Sequence, residues 1–241
     1  ATTNSNGTVT YTYYSGDSCS GTALGSVPTN AGAYSVKATV AATTNYASAT
    51  SSCAKLTINA KAITYTASAT DKTYDGSTSA TCSIALTGVV TGDTVSATST
   101  GTFDNKNAGT DKTVTCSSIT LAGTDASNYT LSSTSATAKA DITAKSLTPT
   151  ATASDKVYNG NTNASCTVSL TGVVTGDTVT ATGTGAFSDK NVGTDKTVTC
   201  SGITLAGTDK GNYTLSSTST TVKADVTAKS LTPTASASDK V

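Results

Sequence analysis

The feature that most constrains this chain is an internal repeat. Residues 61–144 and 145–228 align without a gap at a period of 84 residues, and 59 of the 84 positions are identical. Residues 229–241 then read KSLTPTASASDKV, against KSLTPTATASDKV from Lys145, and so begin a third copy. A period of this length is too long for a solenoid unit and fits a small domain that folds independently. We predict a partial domain over 1–60, repeats over 61–144 and 145–228, and the start of a further repeat over 229–241.

Residues 1–60 contain a diverged form of the same unit. Their NAGAYSVKATV, the pair Asn45–Tyr46 and KLTI echo NAGTDKTVTC, NYTL and KADI of the later copies. The likeness covers only the later part of a repeat, so we expect a partial domain here and a chain that is a piece of a longer array. Neighbouring repeats of the same long chain are the first partners that this organisation predicts.

The pattern within a repeat is that of β-strands. Hydrophobic residues alternate with Thr and Ser over 63–69, 82–86 and 138–142. The strong helix formers Glu, Gln, Arg and Met are missing from the chain. Asp-Gly and Asn-Gly in TYDGST and VYNGNT are typical of tight hairpins, while TGD and KNAG or KNVG indicate further reversals. Several short strands at this spacing predict an all-β fold of tandem Ig-like β-sandwich domains.

Two details of the strands follow from the same pattern. Tyr65 of the first copy is replaced by Pro149 in the second, and proline cannot donate to a central ladder, so we predict that the first strand of a repeat lies at a sheet edge. The hydrophobic phase changes after Cys116, and again one period later. This change predicts a bulge or a switch between sheets near Ser117 and Ser201.

The six cysteines form three pairs with the same separation. They are Cys19 and Cys53, Cys82 and Cys116, and Cys166 and Cys200. Each pair falls within one predicted domain, so we expect one structural disulfide per domain. Closing a loop of this size stabilises a fold by about 4 kcal/mol in the chain-entropy model. Zinc is the competing interpretation, but the chain lacks His and any Cys-x-x-Cys pair. Oxidised cysteines predict a secreted or cell-surface location.

The sequence offers few groups for catalysis. Without His, Glu or Arg, the reactive side chains are those of Ser, Thr, Lys, Tyr, Asp and Cys. Lys72, Tyr74 and Asp75 recur one period later, except that Asp75 becomes Asn159. A turn tolerates this exchange, whereas a catalytic carboxylate usually does not. We predict a chain that is not an enzyme and has no catalytic, cofactor-binding or metal-binding residues.

The sequence suggests three other kinds of site: a crosslink, a calcium site and a carbohydrate-binding loop. A self-formed crosslink between Lys139 and Asn128 beside Asp141 competes with ordinary exposed charges at strand ends. The Asp residues at 71, 75, 125 and 141 lie in or near loops, but they lack the spacing of a dedicated calcium loop. Carbohydrate binding by the loop TGVVTGDT is a further hypothesis, although aromatic residues are scarce.

Two classes of partner are disfavoured by composition. The 15 Lys are balanced by 15 Asp, and a chain of zero net charge without Arg is a poor ligand for nucleic acid. No apolar stretch reaches the length that spans a bilayer, so we expect no membrane insertion in this segment.

Several ordered motifs carry a family resemblance. The chain contains DKTYDG and DKVYNG, then LTGVVTGDTV, FDNKNAGTDKTVT and FSDKNVGTDKTVT, then LAGTD, NYTL and KADIT or KADVT. Residues 61–241 resemble the YDG-type repeats of large bacterial surface adhesins and filamentous-haemagglutinin-like proteins. Residues 1–60 resemble the related MBG-type Ig-like repeats. The resemblance implies a secreted β-sandwich array with no catalytic residues, although many such repeats lack the paired cysteines.

The function predicted from these observations is structural. We expect the repeats to form the extended shaft of an extracellular bacterial adhesin, or the body of a surface filament in which identical copies meet through exposed edge strands such as that of 146–153. The alternative from another class is a set of carbohydrate- or mucin-binding modules that contact a host or surface glycan.

Overall fold

The regular structure of the chain consists of β-strands. The structure is a computed structural model that describes residues 6–240, so the first five residues of the predicted partial domain and Val241 of the third copy lie outside the described residues. Over 6–240 there is no α-helix, and only two 310 helices occur, Ala126–Asn128 and Lys210–Asn212. None of these helices is long and apolar enough to cross a membrane. The prediction of an all-β fold is confirmed.

The strands recur with the sequence period. Those before the first repeat are β1 (Val9–Ser15), β2 (Gly32–Val40), β3 (Ala49–Thr50) and β4 (Ala54–Ile58). Those of the first repeat are β5 (Lys61–Ala69), β6 (Lys72–Thr73), β7 (Ser79–Ala80), β8 (Cys82–Thr87), β9 (Ser96–Phe103), β10 (Gly109–Ala122), β11 (Tyr129–Leu131) and β12 (Ala136–Thr143). Those of the second repeat are β13 (Lys145–Ala153), β14 (Lys156–Val157), β15 (Asn163–Ala164), β16 (Cys166–Thr171), β17 (Thr180–Phe187), β18 (Gly193–Ala206), β19 (Tyr213–Leu215) and β20 (Thr220–Thr227).

The chain divides into two compact units. The first unit runs up to Ala69 and adds Ala80–Thr102 and Val114–Ala138. The second unit comprises Thr70–Ser79, Phe103–Thr113 and everything from Lys139 onward. The second unit therefore contains the whole second repeat together with three segments of the first repeat, 70–79, 103–113 and 139–144. The domain bounds given above, from 1–60 to 229–241, remain a prediction.

The first unit begins with a four-stranded sheet. Its strand order is β1-β2-β3, and β4 pairs with the other half of β2. β1 and β2 run antiparallel with Val9 opposite Val40 and Ser15 opposite Tyr34. In β2 the buried residues are Ser35 and Ala38, which lie on opposite faces of the strand.

Each YDG-like repeat contributes a three-stranded and a five-stranded sheet. In the second repeat the orders are β16-β13-β19 and β14-β20-β18-β17-β15, and the first repeat has the corresponding orders β8-β5-β11 and β6-β12-β10-β9-β7. Most pairs are antiparallel, but β13 runs parallel to β19 and β14 runs parallel to β20. Both sheets are therefore mixed.

The core of the second repeat lies between its two sheets. Its buried cluster comprises Phe187, Val198, Cys200, Ala224 and Val226, all on the five-stranded sheet. Side chains of the three-stranded sheet, among them Ala151, Ala153 and Cys166, pack against this cluster. Small residues fill the interface because the two layers approach closely: a Cβ on Gly185 would lie 2.9 Å from Cβ of Cys166. The repeated two-sheet unit agrees with the predicted fold class.

The segment TYDGST does not form the predicted hairpin. The strands that flank its counterpart VYNGNT, β14 and β15, lie at opposite edges of the five-stranded sheet rather than side by side. Gly76 and Gly160 do adopt positive φ, as the motif requires. The turn of the first repeat is held by hydrogen bonds between residues of the same segment. Asp75 Oδ1 accepts hydrogen bonds from Ser77 N and from Lys72 Nζ, both at 2.8 Å. The loop thus carries the chain across the end of the sandwich.

The edge prediction for the first strand is also wrong, for a simple geometric reason. β13 is the middle strand of its sheet, but its pairing with β19 covers only 145–147. Pro149 follows this stretch and lies opposite Leu170 of β16 alone. The proline therefore occupies the part of a central strand where the second neighbour has already ended, and over 148–153 the strand pairs with β16 alone.

The bulge prediction is confirmed in the second repeat. Thr182 pairs with Thr204 and Thr184 pairs with Ser201, so Gly183 faces two residues of β18. Gly202, one of the two, has φ of 62°. In the first repeat Ser118 takes the equivalent position with φ of 54°. The extra residue moves the following side chains to the other face, which explains the change of hydrophobic phase.

Candidate functional site

The six cysteines form the three predicted disulfides. Cys19 bonds to Cys53, Cys82 to Cys116 and Cys166 to Cys200, with Cα–Cα distances from 5.8 to 6.1 Å. In the second repeat the bond joins β16 to β18 and thereby ties the two sheets together across the core. There is no free cysteine in the part of the chain that the structure describes. These bonds are structural and offer no thiol chemistry.

The most distinctive polar site is a buried carboxylate in the second unit. The side chain of Asp177 is only 2% exposed. Its Oδ2 accepts hydrogen bonds from the hydroxyls of Tyr74 at 2.8 Å and Tyr213 at 2.6 Å, and its Oδ1 lies 3.2 Å from Lys106 Nζ. We refer to these four residues as the Asp177 cluster. A buried carboxylate is costly unless its oxygens are satisfied, and here three donors satisfy them.

The local structure of the second repeat positions two members of this cluster. Asp177 closes the turn of TGVVTGDT, where its N–H donates to the carbonyl of Val174 at 3.1 Å. Tyr213 is the first residue of β19 and follows the 310 helix Lys210–Asn212. Its hydroxyl also accepts a hydrogen bond from Val174 N at 3.0 Å. The tyrosine hydroxyl is therefore fixed as an acceptor from the backbone and as a donor to the carboxylate.

The other two members come from loop regions of the first repeat. Tyr74, in the YDG segment, is 1% exposed, and its ring meets that of Tyr213 edge to face with centroids 5.4 Å apart. Gly76 follows, and a Cβ there would lie 2.8 Å from Val174 Cγ1. Lys106 lies in the loop between β9 and β10 and is partly exposed. Glycine is therefore required at position 76 for two reasons, the positive φ and the close approach of Val174.

The cluster shifts the proton affinities of its members in the directions expected of a shared hydrogen bond. The bond from Tyr213 lowers the pKa of Asp177, which burial alone would raise. Burial, and then the bond to Asp177, raises the pKa of Tyr213 to about 12. The same two causes raise the pKa of Tyr74. At neutral pH the cluster is therefore an ionised carboxylate that accepts hydrogen bonds from two neutral phenols.

A second contact in the same unit uses an asparagine. Asn212 is 5% exposed, and its Oδ1 accepts a hydrogen bond from the backbone N–H of Ala108 at 2.9 Å. Its Nδ2 reaches Asn107 Oδ1 at 3.4 Å. The asparagine immediately precedes Tyr213 in NYT, so one short motif supplies both contacts. The sequence alone predicted no such contact for NYT.

The first unit contains a corresponding set of contacts. Asp93 Oδ2 accepts a hydrogen bond from the hydroxyl of Tyr129 at 2.5 Å. Asn128 Oδ1 accepts from Ala31 N at 2.8 Å, and its Nδ2 lies 3.3 Å from Asn30 Oδ1. Asn30 and Ala31 begin the NAG of segment 1–60, as Asn107 and Ala108 begin that of the first repeat. The NAG-to-NYT contact therefore occurs once in each unit.

The two sites differ in how the space around the aspartate is filled. In the first unit a cleft of about 440 Å³ lies beside Asp93 and Tyr129. Thr29 precedes NAG there, where Lys106 precedes it in the second unit. The cleft is also lined by Asn59, Lys61 and Val90, so it is polar with one exposed aliphatic side chain.

The residues weighed for crosslinking and calcium binding have other partners. Lys139 Nζ donates to Thr113 Oγ1 at 2.8 Å, and Asn128 is engaged with Ala31. Asp141 Oδ1 accepts from Asp111 N at 2.8 Å. Asp71, Asp75 and Asp125 likewise accept from backbone N–H groups. Across residues 6–240, no group of three or more His, Cys, Asp or Glu is arranged to hold a metal ion.

The chain matches a known protein family. The model of the YDG domain matches twice, over residues 59–137 and 143–221. The chain belongs to the YDG domain family. The two matches cover all four residues of the Asp177 cluster, including the tyrosine of YDG, and both NYT motifs. No curated protein matches the chain.

Proposed function

We propose that these YDG repeats are the structural, non-catalytic shaft of an extracellular bacterial adhesin or surface filament. The observation that carries the proposal is the Asp177 cluster. It joins Tyr74 and Lys106 of one repeat to Asp177 and Tyr213 of the next through a carboxylate that is almost fully buried. A buried charge shared in this way disfavours independent motion of the groups that satisfy it, which is the property that a shaft needs.

Three further observations support the same function. The chain carries two tandem YDG domains. A single residue, Ala144, separates the last strand of the first repeat from the first strand of the second, and so short a link restricts bending. The three disulfides indicate an oxidising environment, and a secreted, cell-surface location follows for the proposal. Segment 1–60 fits the role of an MBG-type neighbour in the same array.

Imaging and cell labelling test this proposal together. Rotary-shadowed particles of the purified chain should be elongated, and antibodies against the repeats should label the surface of intact source cells. Compact particles, or label found only after the cells are permeabilised, would contradict it. Fibres that react with the antibody would favour the filament form, whereas a chain that stays monomeric at high concentration on cells without such fibres would favour the single-chain stalk.

One observation favours a second function, glycan binding. The cleft of the first unit includes Val90 and Asp93 of the TGVVTGDT loop, and the side chains of Asn59 and Lys61 line it as well. Amides, a carboxylate and an amine are groups that recognise sugar hydroxyls. A glycan array probed with the chain, and with Asn59→Ala and Lys61→Ala as matched variants, would show hits that the variants lose. An array without hits would remove this function.

A further inference from the structure

The second repeat carries a copy of the surface that the first repeat uses in the Asp177 cluster. One period after Tyr74, Lys106, Asn107 and Ala108 stand Tyr158, Lys190, Asn191 and Val192. We call these last four residues, with Val157, the open face. All of them lie in the second unit.

Tyr158, Lys190 and Val192 of the open face are more exposed than their counterparts Tyr74, Lys106 and Ala108. Tyr158 is half-buried, whereas Tyr74 is 1% exposed. Lys190 is exposed, and the hydrophobic side chains of Val157 and Val192 are each 55% exposed. Two large aliphatic side chains on one small surface are a sign of an interaction site in a chain this poor in hydrophobic residues.

The backbone of the open face already has the shape of the occupied one. Gly160 has φ of 85°, close to the 81° of Gly76. The preceding lysine lies over a phenylalanine ring in both repeats, with Lys156 Nζ 5.2 Å from the Phe187 centroid and Lys72 Nζ 5.6 Å from the Phe103 centroid. The face is therefore preformed without a partner, which keeps the cost of binding low.

The space beside Gly160 identifies the kind of group that fits. A Cβ on Gly76 would collide with Val174 of the TGVVTGDT loop, whereas a Cβ on Gly160 would meet nothing within 4 Å. The place taken by Val174 at the occupied face is thus empty at the open one. A valine from a second TGVVTGDT loop, followed by its aspartate, would fill it.

We infer that the open face binds a further YDG repeat, with Tyr158 and Lys190 donating to that repeat's buried aspartate and the NAG-type backbone at Val192 donating to the asparagine of its NYT. The partner is the repeat that residues 229–240 begin, since these residues copy 145–156 with one substitution. This inference rests on the proposed shaft and names the surface by which one repeat recruits the next.

The test completes the third copy. Residues 158–228 are appended directly after Val241, and the nitration rate of Tyr158 by tetranitromethane is measured by peptide mass spectrometry in the original and in the extended chain. Tyr74 provides the slow reference and Tyr46, which is 57% exposed, the fast one. The rate at Tyr158 should fall about tenfold, towards that of Tyr74, since tenfold is a modest degree of protection for a closed contact.

Variants separate a specific contact from general crowding. Asp177→Asn placed in the appended copy should restore most of the reactivity of Tyr158, whereas Asp209→Asn in that copy, next to the 310 helix and outside the carboxylate cluster, should not. An unchanged rate at Tyr158 beside a protease-resistant appended copy would overturn the inference.

The folding of the third copy is checked independently. A second extended chain carries residues 74–144 instead of 158–228, which supplies the same aspartate, asparagine and tyrosine from the first repeat. A third copy that stays protease-sensitive in both chains would also count against the inference, because the open face would then fail to support the next repeat. Exposed Tyr158 on particles that are still elongated would overturn this inference and leave the proposed shaft standing.

Discussion

Replacing Asp177 by Asn is the most direct perturbation of the Asp177 cluster. The carboxylate accepts two phenol hydroxyls through one oxygen and an ammonium through the other. An asparagine retains one carbonyl acceptor, carries no charge, and presents an NH2 group that cannot accept. The carbonyl oxygen can take the place of Oδ2 and accept both hydroxyls as neutral hydrogen bonds, while the NH2 group then faces Lys106 Nζ, another donor, so that the ion pair is lost.

The magnitude follows from these losses. Hydrogen bonds to a charged group contribute about 1.5–3 kcal/mol each, and a neutral bond about 1 kcal/mol. Exchanging two charged bonds for two neutral bonds, together with the loss of the partly exposed ion pair to Lys106, should lower the free energy of unfolding of the second unit by about 3 kcal/mol. With a urea m-value of about 2 kcal/mol/M for a unit of this size, the midpoint should fall by about 1.5 M.

Tyrosine fluorescence during urea unfolding measures this shift, with the disulfides kept intact. The matched control is Asp93→Asn in the first unit, where the aspartate accepts the hydroxyl of Tyr129 and the loop before NAG supplies Thr29 instead of a lysine. The control should cause a smaller shift. The reasoning fails if Asp177→Asn lowers the midpoint no more than the control does.

Three other perturbations probe the same architecture. Replacing both Cys166 and Cys200 by Ser should lower the stability of the second repeat by about 4 kcal/mol, seen as a lower urea midpoint, and an unchanged midpoint would mean that the loop is constrained without the bond. The pKa of Tyr213 is raised from 10.0 to about 12, so its contribution to stability is complete below pH 10 and is lost as pH rises through 12. Unfolding midpoints measured across this pH range, together with tyrosinate absorbance at 295 nm, check this prediction. A midpoint that does not change with pH would refute it. Asn212→Ala leaves Ala108 N unpaired and should cost about 1–3 kcal/mol, seen as a lower midpoint in thermal unfolding, and an unchanged midpoint would mean that the contact contributes nothing to stability.

Local patterns predicted the parts of the fold that depend on neighbouring residues. Alternation of apolar and polar residues predicted strands, and the change of phase predicted the bulge that the structure places at Gly202. The equal spacing of cysteines predicted one disulfide per repeat unit. Each of these signals lies within a few residues or within one repeat, so no knowledge of sheet order was needed.

The two wrong predictions both concern sheet order. The Asp-Gly of TYDGST correctly indicated a glycine at positive φ, but the same turn chemistry serves a loop that crosses from one sheet edge to the other. Pro149 correctly indicated a position without a second hydrogen-bonding neighbour, but a central strand offers such a position wherever one neighbour is short. Local conformation was predicted in both cases, and the pairing partner was not.

The candidate site lay furthest from prediction. Asp177 meets its partners across 103 residues at Tyr74, 71 at Lys106 and 36 at Tyr213. The available signal was that Asp93 and Asp177, and the two NYT motifs, recur one period apart, but a turn aspartate and a packed tyrosine recur equally well. Alternation and cysteine spacing act locally along the chain, so they were enough to predict a disulfide-bonded β repeat and its period. Burial of a charge depends on donors that packing brings together from distant segments, so the buried and shared aspartate could be recognised only in the folded chain.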